Sequence, residues 1–281
     1  MQELDDYLDK VKSLPPAPRI LPELLTLLRQ DDVDGDRVVK LILFDPAITA
    51  SVMRLCNSPY FCGGSPANDI KEAITRLGFR QIYQLVAAVS GSRMLAPAQK
   101  GYGIDKGELW RHCVTSAIAA QTIARQVGED DSVAFTATLL HDIGKIVLTE
   151  ALTGIYDKLI EDSQTRQVPL IDSEKTLLGV QHAEIGGRLL TRWNFPANIA
   201  QSVWHHHDPA KAAPHERLAA TVYLGNMVAY FMGYGYGHNA FAQDGRSEAL
   251  EILRLRPEAI EEFMIKTFDQ LSVVESIVKA A

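Results

Sequence analysis

The residues of this chain that invite chemistry begin with an adjacent histidine and aspartate, His141-Asp142, in the run Leu139-Leu140-His141-Asp142-Ile143-Gly144-Lys145-Ile146-Val147. A neutral imidazole beside an ionised carboxylate suits a divalent first-row metal. Lys145 follows His141 by four residues and Asp142 by three, so on a continuous helix its ammonium projects near both. A metal with an ammonium nearby is a place to hold a phosphate. Glu108 and His112, also four apart, are neighbours on one helical face. His182 opens a later helix, and His205-His206-His207 end another. Plainer readings exist for each group. The His-Asp pair also fits a helix end at the surface, His182 a core or capping histidine, and the triplet an imidazolium favoured at a helix C-terminus.

Composition bounds the alternatives. A chain of 281 residues, 47% of them hydrophobic, can bury a large core as one domain or two. A net charge of −7 argues against a sequence-independent grip on nucleic acid, which needs a basic surface. Cys56, Cys62 and Cys113 form no CxxC pair, and so sparse a count fits a reducing, cytoplasmic setting. The first six residues are acidic and lack the apolar run of a signal peptide. The stretch nearest to a membrane span, Leu218 to Met232, is too short and carries Asn226 near its centre, so it reads as a buried helix and no membrane partner is expected.

The elements that must carry these residues read as helices throughout. Leu14-Pro15-Pro16-Ala17-Pro18 stops a first short helix over residues 4–12. Asp36 is expected to cap the helix Arg37–Phe44, Asp45-Pro46 to open the next, and Asp69 the one after, with Gly78 as its left-handed C-cap. Gly63-Gly64-Ser65-Pro66 reads as a loop and Gln81 to Met94 as an apolar helix. A connector over Ala96–Gly107 puts a boundary near residue 100. Lys106 to Val127 follows, thinned by Ala117, Ala119, Ala120 and Ala124 for close packing. The helix Ser132–Leu140 then delivers His141 and Asp142. Ser173 is expected to cap a helix containing Glu174, Leu177 and Leu178. Ala197 to Trp204 leads into the histidine triplet, and Gly233-Tyr234-Gly235-Tyr236-Gly237 is read as a turn, not as a cover for the site. The expected fold is all-α, with a helical lobe over 1–100, a second over 101–230 that bears the site, and C-terminal helices over 231–281 docked on the core.

Asp45-Pro46-Ala47, Leu55-Cys56-Asn57-Ser58-Pro59-Tyr60-Phe61 and Ile70-Lys71-Glu72-Ala73-Ile74-Thr75-Arg76-Leu77-Gly78 together resemble the pattern of the HDOD family, bacterial signalling-output domains related to HD phosphohydrolases. The likeness covers roughly residues 12–225. In physical terms these residues are structural: turn formers at Asn57 and Ser58, a core stripe at Ala73, Ile74 and Leu77.

The order Glu108, His112, His141-Asp142, Lys145, His182, His206-His207 resembles the metal pattern of HD phosphodiesterases, the HD-GYP branch above all. That resemblance implies one or two divalent ions on His112, His141, Asp142, His182, His206 and His207, with Asp142 bridging, Glu108 an added carboxylate, and Lys145 holding a substrate phosphate. His205 then lies behind the ligands or plays no part. Such an imidazole-rich set suits iron or manganese, and zinc also. Two departures stand out. Asn226 occupies the helix position where the family's last aspartate is expected, and no Gly-Tyr-Pro follows the histidine pair. The resemblance therefore implies a signalling module that binds metal, turns over weakly or not at all, and meets signalling proteins in trans. The alternative is an active metal-dependent phosphohydrolase, with Asp142 and Lys145 catalytic, acting on a nucleotide or cyclic dinucleotide.

Overall fold

The structure, a computed structural model, describes residues 7–9, 18–30, 32–58, 65–151, 154–235 and 246–279. The proposed stop at Pro15-Pro16, most of the helix 4–12, the residues Pro59-Tyr60-Phe61 and Gly63-Gly64, and Tyr236-Gly237 lie outside that set. Every regular element described is helical; the lone extended feature is a bridge between Gln99 and Ile104.

The first four helices are α1 (Ile20–Leu28), α2 (Gly35–Leu43), α3 (Pro46–Cys56) and α4 (Ile70–Leu95). Their starts follow from short acidic caps that satisfy otherwise orphaned amides. The Asp45 carboxylate accepts from the Ala47 and Ile48 amides at 2.9 and 3.1 Å, and Asp69 from Glu72 at 2.8 Å. The cap of α2 is Asp34, not Asp36: Asp34 accepts from the Arg37 amide at 3.1 Å. Because the helix starts two residues early, Asp36 falls in its first turn and instead meets Lys71 Nζ at 3.1 Å. Gly78 has φ 78° and ψ 157°, a conformation open to glycine but not the left-handed helical cap expected. It kinks α4 and leaves a second helical stretch running on to Leu95.

The second group is α5 (Glu108–Val127), α6 (Asp131–Leu139), α7 (Gly144–Ala151), α8 (Tyr156–Arg166), α9 (Leu170–Leu178), α10 (His182–Arg192), α11 (Ala197–Trp204), α12 (Glu216–Phe231), α13 (Arg246–Leu253) and α14 (Ala259–Lys279). The thin face of α5 lies against α12: a Cβ added at Gly225 would come within 2.6 Å of Ser116 O and 2.8 Å of the Ala120 Cβ. Helix α12 is the buried helix expected over Leu218–Met232, and among the described residues no helix is long and apolar enough to cross a membrane. Helix α9 begins at Leu170 behind Pro169, so Ser173 sits buried inside it rather than at its cap.

One apolar cluster runs from Leu21, Val52 and Ile74 through Phe135, Leu140 and Val147 to Leu189 and Val203. A second gathers Ile123, Tyr223, Leu224, Leu250 and Phe263 around α12. At roughly 1.5–3 kcal/mol for each large aliphatic or aromatic side chain buried, these clusters dominate the stability of the fold. They also fix the helix ends from which the site is built.

Candidate metal centre

Asp142 is the hub. Helix α6 ends at Leu139, residues 140–143 turn, and α7 starts at Gly144, so the run through Lys145 is not one helix. The turn nevertheless brings Lys145 Nζ to 2.9 Å from Asp142 Oδ2, and both groups are buried. Gly144 is needed for the approach of α10: a Cβ there would collide with the His182 carbonyl oxygen.

Four imidazoles face the Asp142 carboxylate from four places in the chain. His141 Nε2 lies 3.3 Å and His112 Nε2 3.8 Å from Oδ2, while His182 Nε2 lies 3.1 Å and His206 Nε2 4.0 Å from Oδ1. His207 Nε2 is 3.1 Å from His182 Nε2, and the His207 ring packs on His206 at 4.0 Å between centroids. The five candidate ligands other than His207, four histidines and Asp142, are at most 1% exposed, whereas His207 is half-buried.

What sets the rings is the partner of each Nδ1. Since a carbonyl oxygen only accepts, the imidazole facing it must donate from Nδ1. His141 Nδ1–H donates to Thr138 O and His206 Nδ1–H to Val203 O, each at 2.7 Å, and His112 Nδ1–H donates to Tyr234 O at 2.9 Å. His141 and His206 thus use the same local device, a ring just past a helix end reaching back three residues to a freed carbonyl. Both leave Nε2 without a hydrogen-bond partner among the described residues, as is Asn226 Oδ1, which is buried one turn before Tyr230 on α12. Tyr230 itself packs on the His112 ring at 4.9 Å.

The charges agree with this geometry. Burial, reinforced by His141, pushes His112 down to about 3, and burial also lowers His141 and carries His206 well below the usual imidazole range. Burial lowers all three histidines of the triplet, which disfavours an imidazolium cap at the helix C-terminus. Burial acts to raise Asp142, but His141, Lys145 and His182 outweigh it and hold the carboxyl well below the usual range. Burial likewise pulls His182 down, yet Glu174 more than reverses it, and His182 is raised.

Glu174 is a residue that sequence reasoning left as an ordinary helix position. Both its oxygens lie 2.9 Å from His182 Nδ1, Oε2 accepts the His182 amide at 2.8 Å, and Oε1 accepts the Tyr102 hydroxyl at 3.0 Å. A signal was present: Glu174 sits between Leu170 and Leu178 at four-residue spacing, a carboxylate on the apolar stripe of its helix. Tyr102, in the connector 96–107, and the Tyr234 carbonyl carried no such mark. Their roles depend on contacts 72 and 122 residues away in the chain. The segment at Gly233-Tyr234 both turns the chain, with Gly233 at φ 82°, and closes over His112, where the sequence suggested the turn alone.

Two sequence candidates lie apart. Glu108 is exposed and accepts from the Asp105 amide at 2.8 Å, helping to start α5. His205 is the half-buried C-cap of α11, its ring 6.3 Å from that of Trp204.

The described residues can hold a metal in two groups, His112–His141–Asp142 and His182–His206–His207, the ligand atoms of each within 4.8 Å of one another. Buried, partnerless Nε2 atoms aimed at an ionised carboxylate, each tautomer fixed from behind, are what a divalent ion requires. The residues fit the ion.

Comparisons with known proteins agree in fold. Residues 14–209 match the HDOD domain family. Among solved structures, an HDOD domain protein of unknown function from Geobacter sulfurreducens superposes with a TM-score of 0.78 at 22% identity, covering 98% of this chain and 97% of that one. A candidate phosphohydrolase from Shewanella amazonensis SB2B superposes with a TM-score of 0.73, also at 22% identity and with the same coverage. An uncharacterized protein of Treponema pallidum (strain Nichols) is 28% identical over 253 residues, 89% of this chain but 48% of that relative, so the chain spans about half the length of its relative.

Proposed function

The chain belongs to the HDOD family, and from that premise we propose that it is a signalling module that binds a divalent metal through the Asp142 cluster and hydrolyses phosphodiesters weakly or not at all. The observation that carries the metal-binding half of this reading is the convergence of His112, His141, His182 and His206 on buried Asp142, every Nδ1 engaged elsewhere. The ligands would be those four histidines, His207 and Asp142, with iron or manganese best suited and zinc also able to bind. A bound ion would supply Lewis acidity toward a phosphate oxygen.

The chain's own residues support weak turnover. Lys145, the phosphate-holding residue by resemblance, is buried and donates to Asp142, so its ammonium is spent inside the protein. Asn226 offers a carbonyl oxygen but neither charge nor a site for a proton. The ligands other than His207 are sealed from solvent, which leaves little room for a substrate to approach. Signalling would then pass to partner proteins in trans, in the cytoplasm, and not through a product.

The second reading, an active phosphohydrolase on a nucleotide or cyclic dinucleotide, is favoured by the full set of histidines. A phosphodiesterase screen with manganese or iron added separates the two. The module predicts little turnover and tighter metal binding in Asn226→Asp; efficient wild-type hydrolysis that His141→Ala abolishes would establish the enzyme instead.

A further inference from the structure

We propose that the centre is built as two unequal ion sites: the His182–His206–His207 half loads first, and Glu174 is the positioning residue that makes it so. The inference rests on the metal-binding reading above and adds an order of loading and a residue outside the ligand set.

Asp142 divides the centre. Its Oδ1 faces His182 and His206, at 3.1 and 4.0 Å. Its Oδ2 faces His141 and His112, at 3.3 and 3.8 Å, but also receives Lys145 Nζ at 2.9 Å. On the Oδ2 side a buried ammonium already stands where a metal would place its charge. Like charges repel strongly where water is excluded. An ion entering there must move Lys145 off Asp142 or bind against it. Neither Asn226, which is neutral, nor Glu108, exposed at the start of α5, offsets this; Glu174, which feels the Lys145 charge, lies behind His182 in the other half.

The other half has the opposite balance. Glu174, fully buried, stands behind His182 and is held by three donors: His182 Nδ1–H, the His182 amide and the Tyr102 hydroxyl. A carboxylate behind a ligating imidazole fixes its tautomer and strengthens it as a ligand. Among the described residues, the Nδ1 atoms of His112, His141 and His206 face the neutral carbonyls of Tyr234, Thr138 and Val203. Glu174 also adds a negative charge close to this half and none of its own to the ligand set.

The test titrates the metal-stripped full chain with Mn2+ alone, following bound and free ion by electron paramagnetic resonance and binding by calorimetry. Wild type should bind its first ion at least about tenfold more tightly than its second, the scale of one outer-shell contact. Glu174→Gln keeps an acceptor for His182 and Tyr102 but loses the charge, and should weaken the first ion roughly ten- to hundredfold while sparing the second. His206→Ala should remove the first binding event and His112→Ala the second, and Lys145→Met should tighten the second. A general loss of structure would weaken both ions together. If Glu174→Gln does not fold, the wild-type curve with the Lys145→Met and histidine variants decides. Two ions of equal affinity, or a first ion unaffected by Glu174→Gln or lost in His112→Ala, would overturn the order of loading and leave the metal reading standing. A folded wild type that binds no ion would remove the metal reading itself.

Discussion

The helices before residue 96 and those after residue 107 both bury polar side chains, and they use them differently. In the first region the polar groups close local structure. Asn57 Oδ1 accepts the Ala67 amide at 2.6 Å while its Nδ2 donates to the Ala67 carbonyl at 3.2 Å, stitching the end of α3 to the entry of α4. Asp45 caps α3 and also receives both Arg93 amino groups, at 2.6 and 2.9 Å. In the second region the Nε2 atoms of His141 and His206 and the Asn226 Oδ1 are buried without a hydrogen bond. Buried polar atoms are normally satisfied, so two unsatisfied imidazole nitrogens facing one carboxylate mark a place suited to another partner. The residues that carried the family resemblance most clearly are thus scaffold, and the candidate metal ligands lie in the other region.

The contrast can be broken most forcefully at Asp142. Asp142→Ala should abolish metal retention by elemental analysis, and in urea unfolding it should cost roughly 3–5 kcal/mol, because Lys145 is left as a buried charge without its partner. Gly144→Ala should cost roughly 1–3 kcal/mol in thermal unfolding, as overpacking does, and lower metal affinity, because the new Cβ displaces His182. On the scaffold side, Asn57→Ala should cost about 1–3 kcal/mol by stranding the Ala67 amide and carbonyl, with metal content unchanged. A loss of metal there would blur the division between the regions. The smallest effect concerns acid. The hydrogen bond from Arg93 holds Asp45 down to about 2 from an ordinary 3.8. With the folded value below the unfolded one, the contribution is full above about pH 4 and lost as pH falls toward 2. Asp45→Asn, which can still cap α3, should flatten the stability profile across that interval by lowering stability above about pH 4, modestly since the pair is partly exposed, and leave it nearly unchanged near pH 2.

The sequence carried the helix starts at Asp45 and Asp69, because a cap is a local bargain between one side chain and amides two or three residues on. It carried the histidines that gather on Asp142, because residue type and order persist where distance does not. Asp34 was missed as a cap since Asp34 and Asp36 offer the same chemistry, and packing chose between them. The Tyr102 hydroxyl and the Tyr234 carbonyl could not be read at all. A backbone carbonyl has no residue type to betray it, and a connector tyrosine gains its role only when α9 arrives beside it. Glu174 lies between these cases, marked as a charge on an apolar stripe but with no indication of which histidine it would hold.

The central claim is that the second region is a metal centre. Elemental analysis of freshly purified full-length chain at neutral pH, repeated after incubation with manganese, iron or zinc and removal of free ion, tests it most directly. The account predicts one or two ions retained per chain and none in Asp142→Ala. A wild-type protein shown to be folded by circular dichroism that retains no ion and takes up none would contradict it.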